Sequence, residues 1–242
     1  MSQVEGRNSV LEILKYGRVK KLLVAKGLRE DAKVLEILEL AAKKRIPLEQ
    51  VSKTRLDELS ETEHHQGFIA LVDARKYGSI KEILAKEKRE ICLVLLDRVQ
   101  DPQNLGSILR TAEAVGVDGV VVPEHDSVGL TPAVQRVSMG GSVHVPLARQ
   151  SLFQAMKLLR DESIRVIGVD PSGPLEYFDE RLTGPIAFVL GGEKQGVNPM
   201  LLRRCDSVIR VPMMGSITSL NVGVAAALVL YERIRQQRKG LE

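Results

Sequence analysis

Apolar and polar residues follow two different patterns before and after residue 90. Downstream of it, continuous apolar runs, as in strands buried on both faces of a sheet, alternate with helical periodicity. The predicted helices are 105–115, 151–160 and 221–238, and α/β alternation of this kind predicts a mostly parallel sheet. The predicted strands are 91-ICLVLL-96, 119-GVVVP-123, 164-IRVIGVD-170, 186-IAFVLG-191 and 207-SVIRVP-212.

The front of the chain predicts a smaller α/β unit. A helix capped by Asn8 or Ser9 precedes a short strand at 21–27, and a second strand is expected at 68–74. Between them, residues 31–45 place Val34, Leu35, Leu38 and Ala41/Ala42 at helical spacing.

Charge divides the chain near the same point. Residues 1–89 carry 19 Lys and Arg against 14 Asp and Glu, whereas residues 90–242 have a net charge of −1. The charged stretch 75–90 contains few large apolar residues and is the best linker candidate. We therefore expect a first domain at 1–75, a linker at 76–90 and a second domain at 91–242.

A basic front half suits a polyanion such as RNA, although a solvated lysine-rich surface would look the same. Arg7, Lys20 and Lys21 are candidate phosphate contacts. Aromatic residues make up only 3% of the chain, which argues against recognition built mainly on base stacking.

The two cysteines, Cys92 and Cys205, are isolated. We therefore expect neither a disulfide nor a metal site, and we expect a reducing cytoplasmic setting. The longest apolar run is too short for a membrane span, and the N-terminus lacks the layout of a signal peptide.

Three loops at the carboxyl ends of predicted strands concentrate the candidate chemistry. Ligands bind at this edge of parallel α/β sheets. The loops are 97-DRVQDPQNLGSILR-110, 190-LGGEKQGVNP-199 and 215-GSITSLN-221. The helical phase puts Arg110 off the apolar stripe of its helix, where an arginine is either functional or merely solvated. The glycine spacing of the second loop is not GxGxxG, which disfavours a nicotinamide enzyme.

The three loops together resemble the signature motifs of the SpoU family of RNA 2′-O-ribose methyltransferases, in the SPOUT superfamily. The pieces DPQNLGSILRTAEAVG, FVLGGEKQGV and RVPMMGSITSLNVGVAAALVLYE occur in the family's order. At the front, VEGRNSVLEIL and HHQGFIAL resemble the substrate-binding domain of the RlmB-like branch, which methylates guanosine of 23S rRNA.

This resemblance implies a small N-terminal L30e-like RNA-binding domain and a C-terminal SPOUT domain with a deep trefoil knot near 185–221. It also implies S-adenosylmethionine as cofactor, no metal, and a homodimer packed through the last helix. A tRNA methyltransferase and a catalytically silent RNA-binding or ribosome-assembly factor are the alternatives; neither DNA nor a membrane is expected as a partner.

Roles for individual residues also follow from the resemblance. Arg110 would act at the ribose 2′-hydroxyl, either as a base or as a cationic clamp. Asn104 and Asn221 would orient Arg110 or the ribose, Glu193 would hold the first and third motifs in register, and Ser219 would bond the substrate. Backbone groups of the cofactor-binding residues would contact S-adenosylmethionine; these are Gly191, Val211 and Leu220.

Overall fold

The computed structural model describes residues 2–17, 19–29, 31–61, 64–72, 77–85, 90–193 and 195–239, without the side chains of Ser2 and Tyr16. In chain order, the strands β1 to β11 are Ser2–Glu5, Val19–Ala25, Leu48–Val51, Phe68–Val72, Cys92–Asp97, Gly119–Val122, Leu147–Arg149, Arg165–Val169, Leu175–Glu176, Ile186–Gly191 and Ser207–Arg210. The helices α1 to α10 are Arg7–Tyr16, Ala32–Lys43, Lys53–Leu59, Ile80–Leu84, Pro102–Ala114, Pro132–Val137, Gly141–His144, Leu152–Asp161, Pro199–Leu202 and Val222–Lys239.

The described residues fall into two compact units. The first contains the residues up to Val72 together with Gly129–His144, and the second contains Tyr77–Val128 and the residues from Val145 onward. The predicted boundary at residues 75 and 76 lies outside the described residues. The segment 129–144, expected in the second domain, packs with the first unit, where the backbone oxygen of Gln135 accepts a 3.5 Å hydrogen bond from the Ser9 hydroxyl.

The second unit is built on a seven-stranded sheet in the order β7-β6-β5-β10-β8-β11-β9. Every neighbouring pair in it is parallel, which confirms the predicted parallel α/β fold. Strands β5 and β10 lie side by side at its centre, and their apolar residues are buried. The carboxyl ends of β5, β8, β10 and β11 therefore reach the same edge of the sheet.

Part of the predicted linker belongs to the core of the second unit. Ser79 caps α4 with a full capping box, and Ile80 and Ile83 pack against Leu93 and Val121 of the sheet. The charged residues around them had suggested a connecting segment. Two isoleucines three positions apart are enough to fix one helical turn on the sheet.

The first unit has a four-stranded sheet in the order β1-β4-β2-β3, with only β2 and β3 parallel. The predicted cap of α1 at Asn8 or Ser9 is wrong, because the helix begins at Arg7. Gly6 is the capping residue and has φ 86°, which glycine tolerates, and its N–H bonds to the Phe68 oxygen.

A buried carboxylate ties β1 to the chain that follows α3. Glu5 is fully buried and accepts hydrogen bonds from the Gln3 amide at 2.8 Å, the Ser60 hydroxyl at 2.7 Å and the Glu61 N–H at 2.7 Å. A buried charge requires partners of this kind. These hydrogen bonds explain how the carboxylate of Glu5 is accommodated at a fully buried position of β1.

None of the helices in the described part of the chain is both long and apolar enough to cross a bilayer.

Candidate active site

The three sequence motifs converge at the carboxyl edge of the parallel sheet. The second and third motifs, together with the chain after β8, bound a cavity of about 460 Å³, within the range of small-molecule sites. Its walls come from the ends of β8 and β10, the chain after β11, the loop 218–220 and the first turns of α10. Val169, Leu190, Val211, Leu220 and Ala225 supply apolar surface.

The glycines of the second motif allow backbone to pass against backbone. A Cβ on Gly191 would lie 1.9 Å from the Gly196 carbonyl carbon, and one on Gly192 would lie 2.2 Å from the Arg98 oxygen. The Gly192 N–H also donates a hydrogen bond to the Asp97 backbone oxygen, and the Gly192 oxygen accepts one from the Gly196 N–H. Residues 191 and 192 are therefore packed between the chain that follows β5 and the later part of their own loop, at residues 196 and 197. Only residues without a side chain permit such close packing.

Three of the predicted site residues form one hydrogen-bonded cluster, one from each motif. The Asn221 amide donates to the Asn104 Oδ1 at 2.8 Å and to the Glu193 Oε1 at 2.9 Å, and the Asn104 amide also donates to Glu193. Asn104 is buried, and both amides are oriented by the carboxylate they share. The cluster therefore joins α5, the glycine-rich loop and α10.

Helix capping fixes two members of this cluster. Asp101 caps α5 and Pro102 occupies its first turn, so the helix begins three residues before the predicted start and Asn104 lies inside it. Asn221 accepts from the N–H groups of Gly223 at 2.9 Å and Val224 at 3.3 Å, which makes it the cap of α10. The Oδ1 of Asn221 thus caps the helix, and its Nδ2 donates the hydrogen bonds of the cluster.

The remaining predicted residues separate into two groups. Ser219, Gly191, Val211 and Leu220 line the cavity, as does Glu193. Arg110 does not line it and is exposed on α5, without an ion pair or hydrogen bond to any other described residue. It lies three residues, or about one turn, beyond Ser107, whose hydroxyl is 3.2 Å from where a Cβ on Gly223 of α10 would lie.

Several cavity residues were not singled out from the sequence. Asp170, Pro171 and Ser172 line it after β8, and Met213 after β11. The turn residues in 170-DPSG-173, at the end of a predicted strand, were the available signal. Beside this cavity lies a more polar one of about 540 Å³, which shares Gly192, Glu193 and Gly196 with it and contains Arg98.

The two thiols take no part in this site. Burial raises the pKa of Cys92 and of Cys205 to about 12, so both are poor nucleophiles near neutral pH. Both are free cysteines. Among the described residues no group of three His, Cys, Asp or Glu side chains is placed to hold a metal ion.

Comparison with known proteins assigns both parts of the chain. The model of the SpoU rRNA Methylase family matches residues 90–231, and one for RNA 2′-O ribose methyltransferase substrate binding matches residues 3–78. The chain belongs to the SpoU rRNA methylase family. YacO of Bacillus subtilis (strain 168), assigned to the TrmH family of tRNA/rRNA methyltransferases, is 37% identical to this SpoU protein over 97% of this chain and 95% of its own.

Solved structures agree with this assignment to the SpoU family. The SpoU methyltransferase AviRb from Streptomyces viridochromogenes superposes with a TM-score of 0.85 at 28% identity, covering 99% of this chain and 90% of AviRb. The structure of AviRb in complex with the cofactor AdoMet gives a TM-score of 0.84 at 27% identity, and the match covers 98% of this chain and 91% of AviRb. The resemblance drawn from the three motifs, and the predicted enzyme class of RNA methyltransferase, are thereby confirmed.

Proposed function

We propose that this SpoU-family enzyme methylates the ribose 2′-hydroxyl of a guanosine in 23S rRNA, using S-adenosylmethionine. The family supports RNA ribose methylation in general. The observation that carries the proposal is the Asn104–Glu193–Asn221 cluster beside a cavity of nucleoside size. The choice of guanosine in 23S rRNA rests on the resemblance of the front segments to the RlmB-like branch.

The cavity fits S-adenosylmethionine, the cofactor that AviRb binds. Its apolar walls suit an adenine ring, and its polar residues suit a ribose and an amino acid group. When bound, S-adenosylmethionine supplies a methyl group activated on a cationic sulfur. Gly191, Val211 and Leu220 would hold it through backbone groups, since none of them carries a polar side chain.

The cluster would position the cofactor cavity and the acceptor site relative to each other. Glu193 lines the cavity and accepts from both asparagines, so its carboxylate links the cavity wall to α5 and α10. Hydrogen bonds to a charged group contribute more than neutral ones, which favours a rigid arrangement. Ser219, on the exposed rim of the cavity, would bond the phosphate or ribose of the substrate.

Arg110 would bind the phosphate next to the acceptor ribose and stabilise the developing alkoxide. Its guanidinium forms no ion pair with any described carboxylate. A planar guanidinium with several donors suits both roles. Proton removal by Arg110 is the alternative, and it would require a neutral guanidinium, which is rare in proteins.

The first unit would select the RNA. Arg7 pairs with Asp31 and Lys21 with Glu49, but such exposed pairs are weak and a phosphate can replace the carboxylate. The basic excess of residues 1–89 supports this role. The division into an RNA-selecting and a catalytic domain, a trefoil knot near 185–221 and a cytoplasmic location remain part of this proposal.

A homodimer would bury the outer face of α10. Val224 is 48% exposed and Tyr231 is 55% exposed, and with Leu228 they form an apolar stripe along one side of the helix. The stripe lines a groove of about 420 Å³ that also contains Tyr177. Apolar residues at helical spacing on an exposed face are typical of a surface covered by a partner.

Tyr231→Lys is expected to convert the dimer to a monomer, because a lysine would place a charge in an apolar interface. Size-exclusion chromatography with light scattering measures the mass directly. Met200→Lys is the control, since Met200 is a 59% exposed apolar residue on another helix. A wild-type monomer, or a dimer that survives Tyr231→Lys, would refute this interface.

The proposed substrate is tested by methyl-labelled S-adenosylmethionine with 23S rRNA, 16S rRNA and tRNA in separate reactions. We expect label on the 2′-oxygen of a guanosine in 23S rRNA, located by nuclease mapping. Label in tRNA instead would favour the tRNA methyltransferase, a reading that the tRNA/rRNA description of YacO keeps open. RNA binding without any label would indicate a silent RNA-binding factor.

A further inference from the structure

An acidic side chain lies in the cavity wall outside the three family motifs. Asp170 directly follows β8 and lines the cavity with Pro171 and Ser172. Its N–H donates to the Ile209 oxygen at 2.9 Å, which fixes its backbone against β11. Asp170 therefore occupies a defined place at the carboxyl edge of the sheet, where ligands of such folds bind.

Among the described residues, hydrogen-bond donors reach only one oxygen of this carboxylate. Oδ1 accepts from the Ser172 N–H at 3.0 Å and from the Ser172 hydroxyl at 2.7 Å. Oδ2 lies 3.1 Å from where a Cβ on Gly196 would be, and Gly196 lines the same cavity. No described residue donates a hydrogen bond to Oδ2. Ser172 thus orients the carboxylate and leaves one acceptor oxygen beside the cavity.

The residues next to Oδ2 indicate which part of a nucleoside ligand would bond to it. Asp170 adjoins Val169, and the apolar walls that suit adenine include Val169 and Leu190. The group next to adenine in S-adenosylmethionine is the ribose, whose hydroxyls are hydrogen-bond donors. Other parallel α/β folds place an acidic residue against ribose hydroxyls of a bound nucleotide.

We infer that Asp170 is a cofactor-binding residue whose Oδ2 accepts a hydrogen bond from a ribose hydroxyl of S-adenosylmethionine. This rests on the proposed function, because it takes the cavity as the site of that cofactor. Ser172 is the positioning residue that holds the carboxylate in place.

The test uses Asp170→Asn and measures binding, not turnover. Asparagine keeps an oxygen for Ser172 and replaces Oδ2 with an NH₂ donor of the same size. The probes are S-adenosylhomocysteine and its 2′-deoxy and 3′-deoxy analogues, titrated by calorimetry. We expect S-adenosylhomocysteine to bind about 10- to 100-fold more weakly to the variant, as for loss of a hydrogen bond to a charged group. The analogue lacking the bonded hydroxyl should bind both proteins equally.

Asp126→Asn is the matched control. Asp126 carries the same charge and lines only the neighbouring polar cavity, and asparagine tolerates its φ of 57°. It should leave all three affinities unchanged. If Asp170→Asn does not fold, as its melting curve would show, Asp170→Ala replaces it in the same comparison.

Three results would overturn the assignment. They are an unchanged affinity for S-adenosylhomocysteine, an equal loss for all three probes, and, in a parallel titration with S-adenosylmethionine, a larger loss than for S-adenosylhomocysteine. The last result would place Asp170 at the sulfonium. A wild-type protein that binds no probe would instead refute the proposed cofactor site as a whole.

Discussion

Arg110→Ala is expected to slow methyl transfer by about 10²- to 10³-fold, the usual effect of removing a group that stabilises developing charge. Affinity for S-adenosylhomocysteine should not change, because Arg110 does not line the cofactor cavity. Single-turnover methylation of rRNA measures the first quantity and calorimetry the second. The fold should also be intact, since the exposed Arg110 has no described ion-pair partner to lose.

Arg110→Lys separates the two roles proposed for this side chain. Lysine keeps the charge but loses the planar fork, so a geometric clamp should fail almost as badly as with alanine. Arg203→Ala is the control, because it removes another exposed positive charge elsewhere on the same unit. Recovery of most activity with lysine would reduce Arg110 to a point charge. Unchanged turnover in both variants would show that Arg110 is a solvated helix residue.

The parallel sheet was predictable because each central strand is a short, uninterrupted apolar run. The inward face of the helix 105–115 was predictable for a related reason. Periodicity places Leu105, Ile108, Leu109, Ala112 and Val115 on it; the first four are buried in α5, and Val115, the residue after the helix, is half-buried. In α2 the same approach was less accurate: Leu35 is 44% exposed and Ala42 is exposed, whereas Ile37 is buried. The apolar residues of α2 extend around more than one face, so periodicity alone could not tell which face packs into the core of the first unit.

Features that depend on contacts between distant segments could not be predicted. Nothing local to residues 129–144 indicates that they pack with the first unit, since their contacts are with β1 and α1. The convergence of Asn104, Glu193 and Asn221 came only from the resemblance, because the chain between them is long and its path is not encoded in periodicity. Asp170 lies in a turn with ordinary composition, and only the cavity distinguishes it from other turn residues.

The close approach of backbone at the second motif should make Gly191 intolerant of any side chain. In Gly191→Ala the new Cβ would lie 1.9 Å from the Gly196 carbonyl carbon and 2.1 Å from the Val197 nitrogen. Both are backbone atoms. Gly196 donates a hydrogen bond to Gly192 and has a φ of 61°, in the left-handed region, so its backbone is fixed in this position. No rotamer can relieve the overlap, so the loop itself must move.

Movement of this loop should affect stability and binding together, because it carries Glu193 and forms one wall of the cofactor cavity. We expect Gly191→Ala to lower the free energy of unfolding by about 1–3 kcal/mol, the usual cost of overpacking, and to weaken S-adenosylhomocysteine binding at least about tenfold. Denaturant unfolding and calorimetry measure the two effects. Gly215→Ala is the control in a neighbouring loop, since a Cβ there meets no atom within 4 Å and its φ is not positive. If Gly191→Ala matched Gly215→Ala in both measurements, the two backbone segments could not lie as close as the structure has them, and the second motif would not need its glycine for packing.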